Sequence, residues 1–305
     1  MIRPSFLQPG DKVALVAPAK VIDKASMDIP KRILHSWGLT VVEGAHLYDS
    51  WNQFAGTDGN RKLDLQWSLD AEDIKAVFCA RGGYGASRII DDIDFTRFKK
   101  NPKWVIGFSD ITLLLTEIFN LGIETIHGLM PMAFSNKDYH ASVENLKKLL
   151  FGILPEYHLP PSDVNLSGTA EAEIIGGNLT ILHTIIQTPS FPGIDGKILF
   201  LEEIGEYLYH IDRVMVHFKR TGLLNKLAGV VVGHFSDIKD GTTPFGKNAY
   251  EIIREHLAEY SIPVAFHFPA GHEAPNFPIV FGSRVRLEVT SQAVSLKYSS
   301  GDLNT

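Results

Sequence analysis

Short, nearly continuous apolar runs punctuate the first half of the chain, each followed by a segment of mixed polarity. The runs KVALVAP (12–18), LTVVEGAH (39–46), IKAVFCA (74–80), KWVIGFS (103–109) and IETIHG (123–128) read as strands. Between them, ASMDIPKRILHSWG (25–38), NRKLDLQWSLDA (60–71), ASRIIDDI (86–93) and DITLLLTEIFNLG (110–122) read as helices, the first and last stopped by glycine. Pro30 sets the early part of the first helix in question. Leu63, Leu65, Trp67 and Leu69 alternate as in a strand, but the Lys, Gln and Leu content and the place in the rhythm favour a helix. Strands alternating with helices predict a mainly parallel sheet covered on both faces, an α/β sandwich. Ligands of such folds lie beyond the carboxyl ends of the strands, here APA, ARGGYG, GFSD and HGLMP.

The rhythm breaks near residue 150. Residues 151–173 are rich in proline and polar side chains and read as an interdomain connection, expected to influence access to a site between the domains. Beyond it, AEIIGG, GKILFLEE, AGVVVGHF, IPVAFHF and RVRLEVTSQAVSLKY are strand-like. The helices NLTILHTIIQ (178–187) and YHIDRVMVHFKRTG (209–222) interrupt them, the second with Ile211, Val214, Met215 and Phe218 on one face. The expected fold class is α/β: an N-terminal sandwich domain over 1–150 and a β-rich α+β domain over 174–305.

Composition narrows the function classes. Charged residues make up 21% of the chain, the formal net charge is −6, and Lys and Arg are scattered with no basic run, so no nucleic-acid partner is expected. No segment approaches the roughly 20 apolar residues of a membrane span, and VALVA near the N-terminus is too short for a signal sequence. Cys79 is the sole cysteine, so no internal disulfide forms. These features predict a soluble cytoplasmic protein. No His, Cys and Asp set has metal-ligand spacing, and neither a metal nor a cofactor is expected.

Four junctions carry candidate chemistry. GFSD puts Ser109 at a strand–turn–helix apex, the layout of a nucleophile elbow, with Ile111 in place of the second glycine. The plainer reading makes Ser109 or Asp110 a helix cap. CARGGYGAS (79–87) offers backbone N–H groups to a phosphate or an oxyanion, and Arg81 could meet a carboxylate, but no dinucleotide or Walker fingerprint is present. ILFLEEIGE (198–206) carries a buried-looking strand into Glu202 and Glu203, either an acid that orients an imidazole or two solvated strand-end acids. In FHFPAGHEAPNFP (266–278), His272 lies in a proline-rich loop and is a candidate base, whereas His267 reads as strand. His127 and His234 lie at strand ends, and Cys79 reads as a small buried hydrophobe.

Together the junctions run in the order Ser, Glu, His, and with them the chain resembles the LD-carboxypeptidases and the related microcin C immunity peptidases. The resemblance rests on GDKVALVAPA, ARGGYGASRIID, IGFSDIT, GGNLTIL, TPSFPGIDGKILFLEEIGE, IDR (211–213) and PAGHEAPNFPIVFG, in the family's order. It implies a serine peptidase with Ser109 as nucleophile, Glu202 as the acid and His272 as the base. The backbone N–H groups of Asp110 and of Gly82 or Gly83 are the implied oxyanion donors. Arg81, Tyr84 and Glu273 are candidate substrate contacts. LEE stands where the family often has LED, and GHE where it often has GHG, so Glu273 bears on what the pocket accepts. The implied substrate is a peptide ending in a D-amino acid, commonly the D-alanine of a murein tetrapeptide, cleaved during cell-wall recycling by a homodimer. With Ser109 in one domain and Glu202 and His272 in the other, the active site is expected at the domain interface. The immunity-type alternative, cleavage of a peptide–nucleotide conjugate, needs an aromatic stacking surface, for which the connection offers Phe151 and Tyr157. A nucleotide-binding α/β protein using RGGYG is a further alternative, as is a non-catalytic binding protein on the same scaffold, against which the complete triad stands.

Overall fold

A computed structural model describes residues 1–299. The first unit is a six-stranded sheet in the order β11-β5-β4-β3-β1-β2. Its strands β1 (Lys12–Val16), β2 (Thr40–Glu43), β3 (Ile74–Cys79), β4 (Trp104–Gly107) and β5 (Thr125–His127) are parallel to one another. Every residue of β4 and β5 is buried, as expected of strands covered on both faces. The helices are α1 (Asp28–Ser36), α2 (Asp58–Asp70), α3 (Thr96–Lys100), α4 (Thr112–Asn120) and α5 (His140–Leu150). Pro30 falls in the first turn of α1, where its missing N–H has no intrahelical acceptor to lose.

The second unit is a seven-stranded mixed sheet in the order β10-β9-β8-β7-β12-β13-β6. Its strands are β6 (Glu156–Leu159), β7 (Gly168–Asn178), β8 (Ile198–Ile204), β9 (Gly229–Ser236), β10 (Val264–Ala265), β12 (Arg284–Val289) and β13 (Val294–Tyr298). The segments β7 to β10 pair in parallel, and β6, β13, β12 and β7 pair antiparallel. Helices α6 (Leu179–Thr184), α7 (Leu208–Arg220) and α8 (Ala249–Leu257) pack around it. Residues 151–173, expected as a connection, hold β6 and the start of β7.

One short strand locks the units together. β11 (Ile279–Phe281) belongs to the C-terminal half, yet it pairs antiparallel with β5, placing Ile279 beside His127. A second tie forms where β7 meets α4. Gly177 has φ 138°, and a β-carbon there would lie 2.5 Å from the Thr112 hydroxyl. That close approach lets the Asn178 N–H donate to Thr112 Oγ1 at 3.1 Å. A shared apolar core runs from Ile111 and Leu115 of the first unit to Ile174 and Phe200 of the second.

The helix expected over 86–93 is instead two single 3-10 turns, Ala86–Arg88 and Ile90–Asp92. The physical reason is twofold: Gly85 has φ 146°, and the Ala86 N–H is taken by the Asp110 carboxylate. The segment is thereby held as part of the glycine loop.

Candidate active site

Ser109 stands at the carboxyl end of β4, at the start of a 3-10 turn that runs into α4. Its φ is 62°, in the left-handed region that a side chain disfavours. Gly107 permits the tight turn, since a β-carbon there would lie 2.6 Å from Ile111. The helix-cap reading fails: neither the turn nor α4 has a side-chain cap bond. The Asp110 N–H lies in the first turn, where backbone donors lack intrahelical acceptors.

The glycine loop backs directly onto this turn. A β-carbon on Gly82 would lie 3.0 Å from the Ser109 β-carbon and 3.3 Å from the Phe108 carbonyl. The loop is braced by opposite charges. Asp110, buried, accepts from the Ala86 N–H at 2.8 Å. Burial lifts its carboxyl to about 6, against the hydrogen bonds from Ala86 and Gly85 and the charge of Arg61. Arg61, also buried, donates to the carbonyls of Pro18 at 2.7 Å and Gly85 at 2.8 Å. The sequence reading missed Arg61. Nothing local marks it, because Gly85 lies 24 residues away.

Glu202 and His272 meet. Glu202 is fully buried in β8, and its Oε2 accepts from His272 Nδ1 at 2.7 Å. Strand alternation sends Glu203 to the other face. There it accepts from Asn178 Nδ2, the Thr180 N–H and the Ile204 N–H, each at 2.8 Å. Burial raises the Glu203 carboxyl despite these bonds. Glu203 is thus neither solvated nor paired with a histidine, and it reaches α4 through Asn178 and Thr112.

The His272 loop is stapled on both sides. The Tyr139 hydroxyl donates to the His272 carbonyl at 3.0 Å. Asn276 Oδ1 accepts from the Gly271 N–H at 3.1 Å, and the Asn276 N–H donates to Ser142 Oγ at 2.8 Å. The imidazole packs edge-on against Phe108, the residue before Ser109, with ring centroids 4.9 Å apart. Burial pulls the His272 pKa down, but the charge and hydrogen bond of Glu202, with help from Glu203, raise it above 6.5 overall. Gly271 has φ 133°, and a β-carbon there would lie 3.2 Å from the Glu202 β-carbon and 3.0 Å from that of His234. Gly271→Ala is therefore expected to destabilise the fold by about 1–3 kcal/mol, read by thermal denaturation, with a matching loss of activity.

The remaining candidates separate. Arg81 is half-buried, with Nη1 donating to the Val21 carbonyl at 3.1 Å. Tyr84 is exposed on the glycine loop. Glu273 is exposed and enters no ion pair among the described residues. His127 is buried at the end of β5, neither ring nitrogen has a partner, and burial lowers it to about 4. Burial lowers the His234 pKa, against the nearby charges of Glu273 and Glu202. The Cys79 thiol is buried and pushed up to about 12, by burial first and by Asp110 second, so it packs as a small hydrophobe. Tyr157 is buried, donates to the Pro278 carbonyl at 2.5 Å and stacks on Phe277. Phe151 is partly buried against the core. Neither aromatic residue of the expected connection is a free stacking face. Among the described residues no group of His, Cys, Asp and Glu side chains could hold a metal ion, and no helix is long and apolar enough to cross a membrane.

Residues 13–128 match the profile of the LD-carboxypeptidase N-terminal domain, and residues 171–287 match that of the LD-carboxypeptidase C-terminal domain. The chain is 31% identical to a probable murein peptide carboxypeptidase of Bacillus subtilis, over 99% of this chain and 97% of that protein. It is 32% identical to a murein tetrapeptide carboxypeptidase of Pseudomonas aeruginosa, over 92% and 94% of the two chains. Its structure is similar to that of the muramoyltetrapeptide carboxypeptidase from Oxalobacter formigenes, with TM-score 0.86, 25% identity and coverage of 95% and 99%. The microcin C7 self-immunity protein MccF, in complex with aspartyl sulfamoyl adenosine, shares the fold at TM-score 0.85 and 21% identity, over 98% and 99%.

Proposed function

The chain belongs to the LD-carboxypeptidase family, a family of hydrolases, and from that premise we propose that it releases the terminal D-alanine of murein tetrapeptides in cell-wall recycling. The observation that carries this reading is the 2.7 Å pair of His272 and Glu202, seated against Phe108 beside the left-handed Ser109. In this reading Ser109, Glu202 and His272 form a catalytic triad where the two domains meet. Glu202 holds the Nδ1–H tautomer, which leaves Nε2 as the base. Nε2 takes the Ser109 proton as Oγ bonds to the scissile carbonyl carbon. The carbon–nitrogen bond then breaks, and the same proton goes to the amine of departing D-alanine. Water repeats the sequence on the acyl-enzyme and frees the acid. The N–H groups of Asp110 and of Gly82 or Gly83 receive the oxyanion. The Arg61 and Asp110 braces support this, because donors fixed in advance need no reorganisation during the reaction.

The donors of Arg81 not bound to Val21 suit the substrate's terminal carboxylate. The reading includes action in the cytoplasm and assembly as a homodimer. Tyr157 is buried, so the connection gives the immunity-type alternative no stacking face. The test is incubation of the purified protein with a murein tetrapeptide and mass spectrometry. Loss of one alanine residue is expected, and an unchanged peptide overturns the proposal.

A further inference from the structure

We infer that Trp51, Phe54 and Tyr84 form a glycan subsite, which takes the sugar carried on the N-terminal end of a muramoyl peptide. The inference rests on the carboxypeptidase reading above and extends it to the part of the substrate farthest from the bond cleaved.

The three rings make one continuous aromatic surface. Phe54 lies 6.4 Å from Trp51 and 5.9 Å from Tyr84, centroid to centroid. Trp51 is 48% and Tyr84 47% exposed, so both present ring area to solvent. The surface is rigid. The Trp51 N–H donates to the Phe54 carbonyl at 3.0 Å and the Phe54 N–H returns to Trp51 at 3.1 Å. Bonds from Val21 to Gln53 at 2.9 Å and from Ala55 to Ala19 at 3.1 Å pin this turn to the chain after β1. Beneath it the guanidinium groups of Arg61 and Arg88 lie 4.9 Å and 5.6 Å from the Phe54 ring, and Asp58 holds both. A surface already ordered loses little entropy on binding.

Position supplies the second argument. Along the carboxyl edge of the first sheet the strands follow one another as β4, β3, β1 and β2. Ser109 follows β4, the glycine loop with Tyr84 follows β3, and the Trp51–Phe54 turn follows β2. That turn pairs with the chain after β1, two inter-strand steps of about 4.8 Å from β4, which puts it roughly 10 Å from the nucleophile. A carboxypeptidase has one residue on the leaving side, which reaches only about 3.5 Å. A surface that far away therefore serves the acyl side. The three acyl-side residues of a tetrapeptide span about 10 Å when extended, so the group beyond the peptide's N-terminus arrives at the aromatic surface.

The chemistry of the surface fits a saccharide. A pyranose has an apolar C–H face that lies on the electron-rich face of an aromatic ring. Asn52 and Gln53, which lie between Trp51 and Phe54 in the chain, are exposed and suit hydroxyl and acetamido groups.

The experiment compares kcat/KM for a muramoyl tetrapeptide and the free tetrapeptide. Wild type is expected to favour the muramoyl form by about tenfold, mainly through KM, the effect of a ring contact worth ~1.4 kcal/mol. In Trp51→Ala the ratio is expected to fall close to one. Tyr84→Ala is expected to lower it, and Tyr84→Phe to keep it. Leu63→Ala, which removes a 60% exposed side chain elsewhere, is expected to keep the wild-type ratio. No preference in wild type, or a preference untouched by Trp51→Ala, overturns the subsite while D-alanine release stands. A preference for a nucleotide-bearing peptide over the muramoyl form also overturns it. Cleavage of neither peptide overturns the subsite and the carboxypeptidase reading together.

Discussion

Ser109→Ala is expected to abolish D-alanine release, lowering kcat by on the order of ten-thousand-fold to million-fold. Without Oγ no acyl-enzyme forms, and the His272–Glu202 pair has no proton to take. The fold is expected to survive, because Ser109 supplies no cap bond to the turn or to α4. Alanine inherits the same φ of 62°, so the backbone strain is unchanged and the melting temperature shifts by no more than about 2 °C. The two readouts separate catalysis from folding. Activity above about 1% of wild type in a well-folded Ser109→Ala protein would remove Ser109 from the nucleophile role.

Glu202→Gln is expected to cost about a thousandfold to ten-thousandfold in kcat and to move the pH profile. An amide at this buried position presents a donor where a carboxylate accepted, so the Nδ1–H tautomer of His272 is no longer selected. The sign of the pH effect follows from what holds the imidazole pKa. Activity needs neutral His272, so kcat/KM rises with pH through the pKa of the free enzyme. Burial lowers that pKa, and the charge and hydrogen bond of Glu202 raise it above 6.5. In wild type the rising limb is therefore expected to have its midpoint above 6.5. Removing Glu202's charge leaves burial in command, and the midpoint is expected to fall below 6.5. Profiles of kcat/KM for the two proteins check this. A midpoint that stays in place after Glu202→Gln would mean that Glu202 does not govern the base.

Much of the architecture was legible because its signals are local. The apolar runs before each turn announced β1, β3, β4 and β8 within a few residues, and the helical face of Ile211, Val214, Met215 and Phe218 announced α7. Helix α8 was equally local and was overlooked. Asn248 and Glu251 form a capping box, three residues apart, just before its apolar positions. The helix expected over 86–93 shows the opposite failure. Its composition suited a helix, but a carboxylate 24 residues downstream took the Ala86 N–H and kept the segment in a loop. β6 and β11 are short strands whose pairing depends on partners far along the chain, so no local pattern could announce them.

The sequence by itself determined the alternation that makes the first sheet parallel, the strand–turn–helix setting of Ser109, and the chemical types available at the strand ends. Those follow from periodicity and residue chemistry, which act over a few residues. Which of two adjacent glutamates meets His272 was open to the residues alone, although the family resemblance pointed to Glu202. The tertiary structure decided it, because β8 alternation turns Glu202 toward a loop 70 residues away and Glu203 toward Asn178. The left-handed φ of Ser109, the bracing of the glycine loop by Arg61 and Asp110, and the exposed aromatic surface at Trp51 likewise depend on contacts between distant segments. Such contacts are bought with chain entropy and settled by packing, so they exist only in the folded chain.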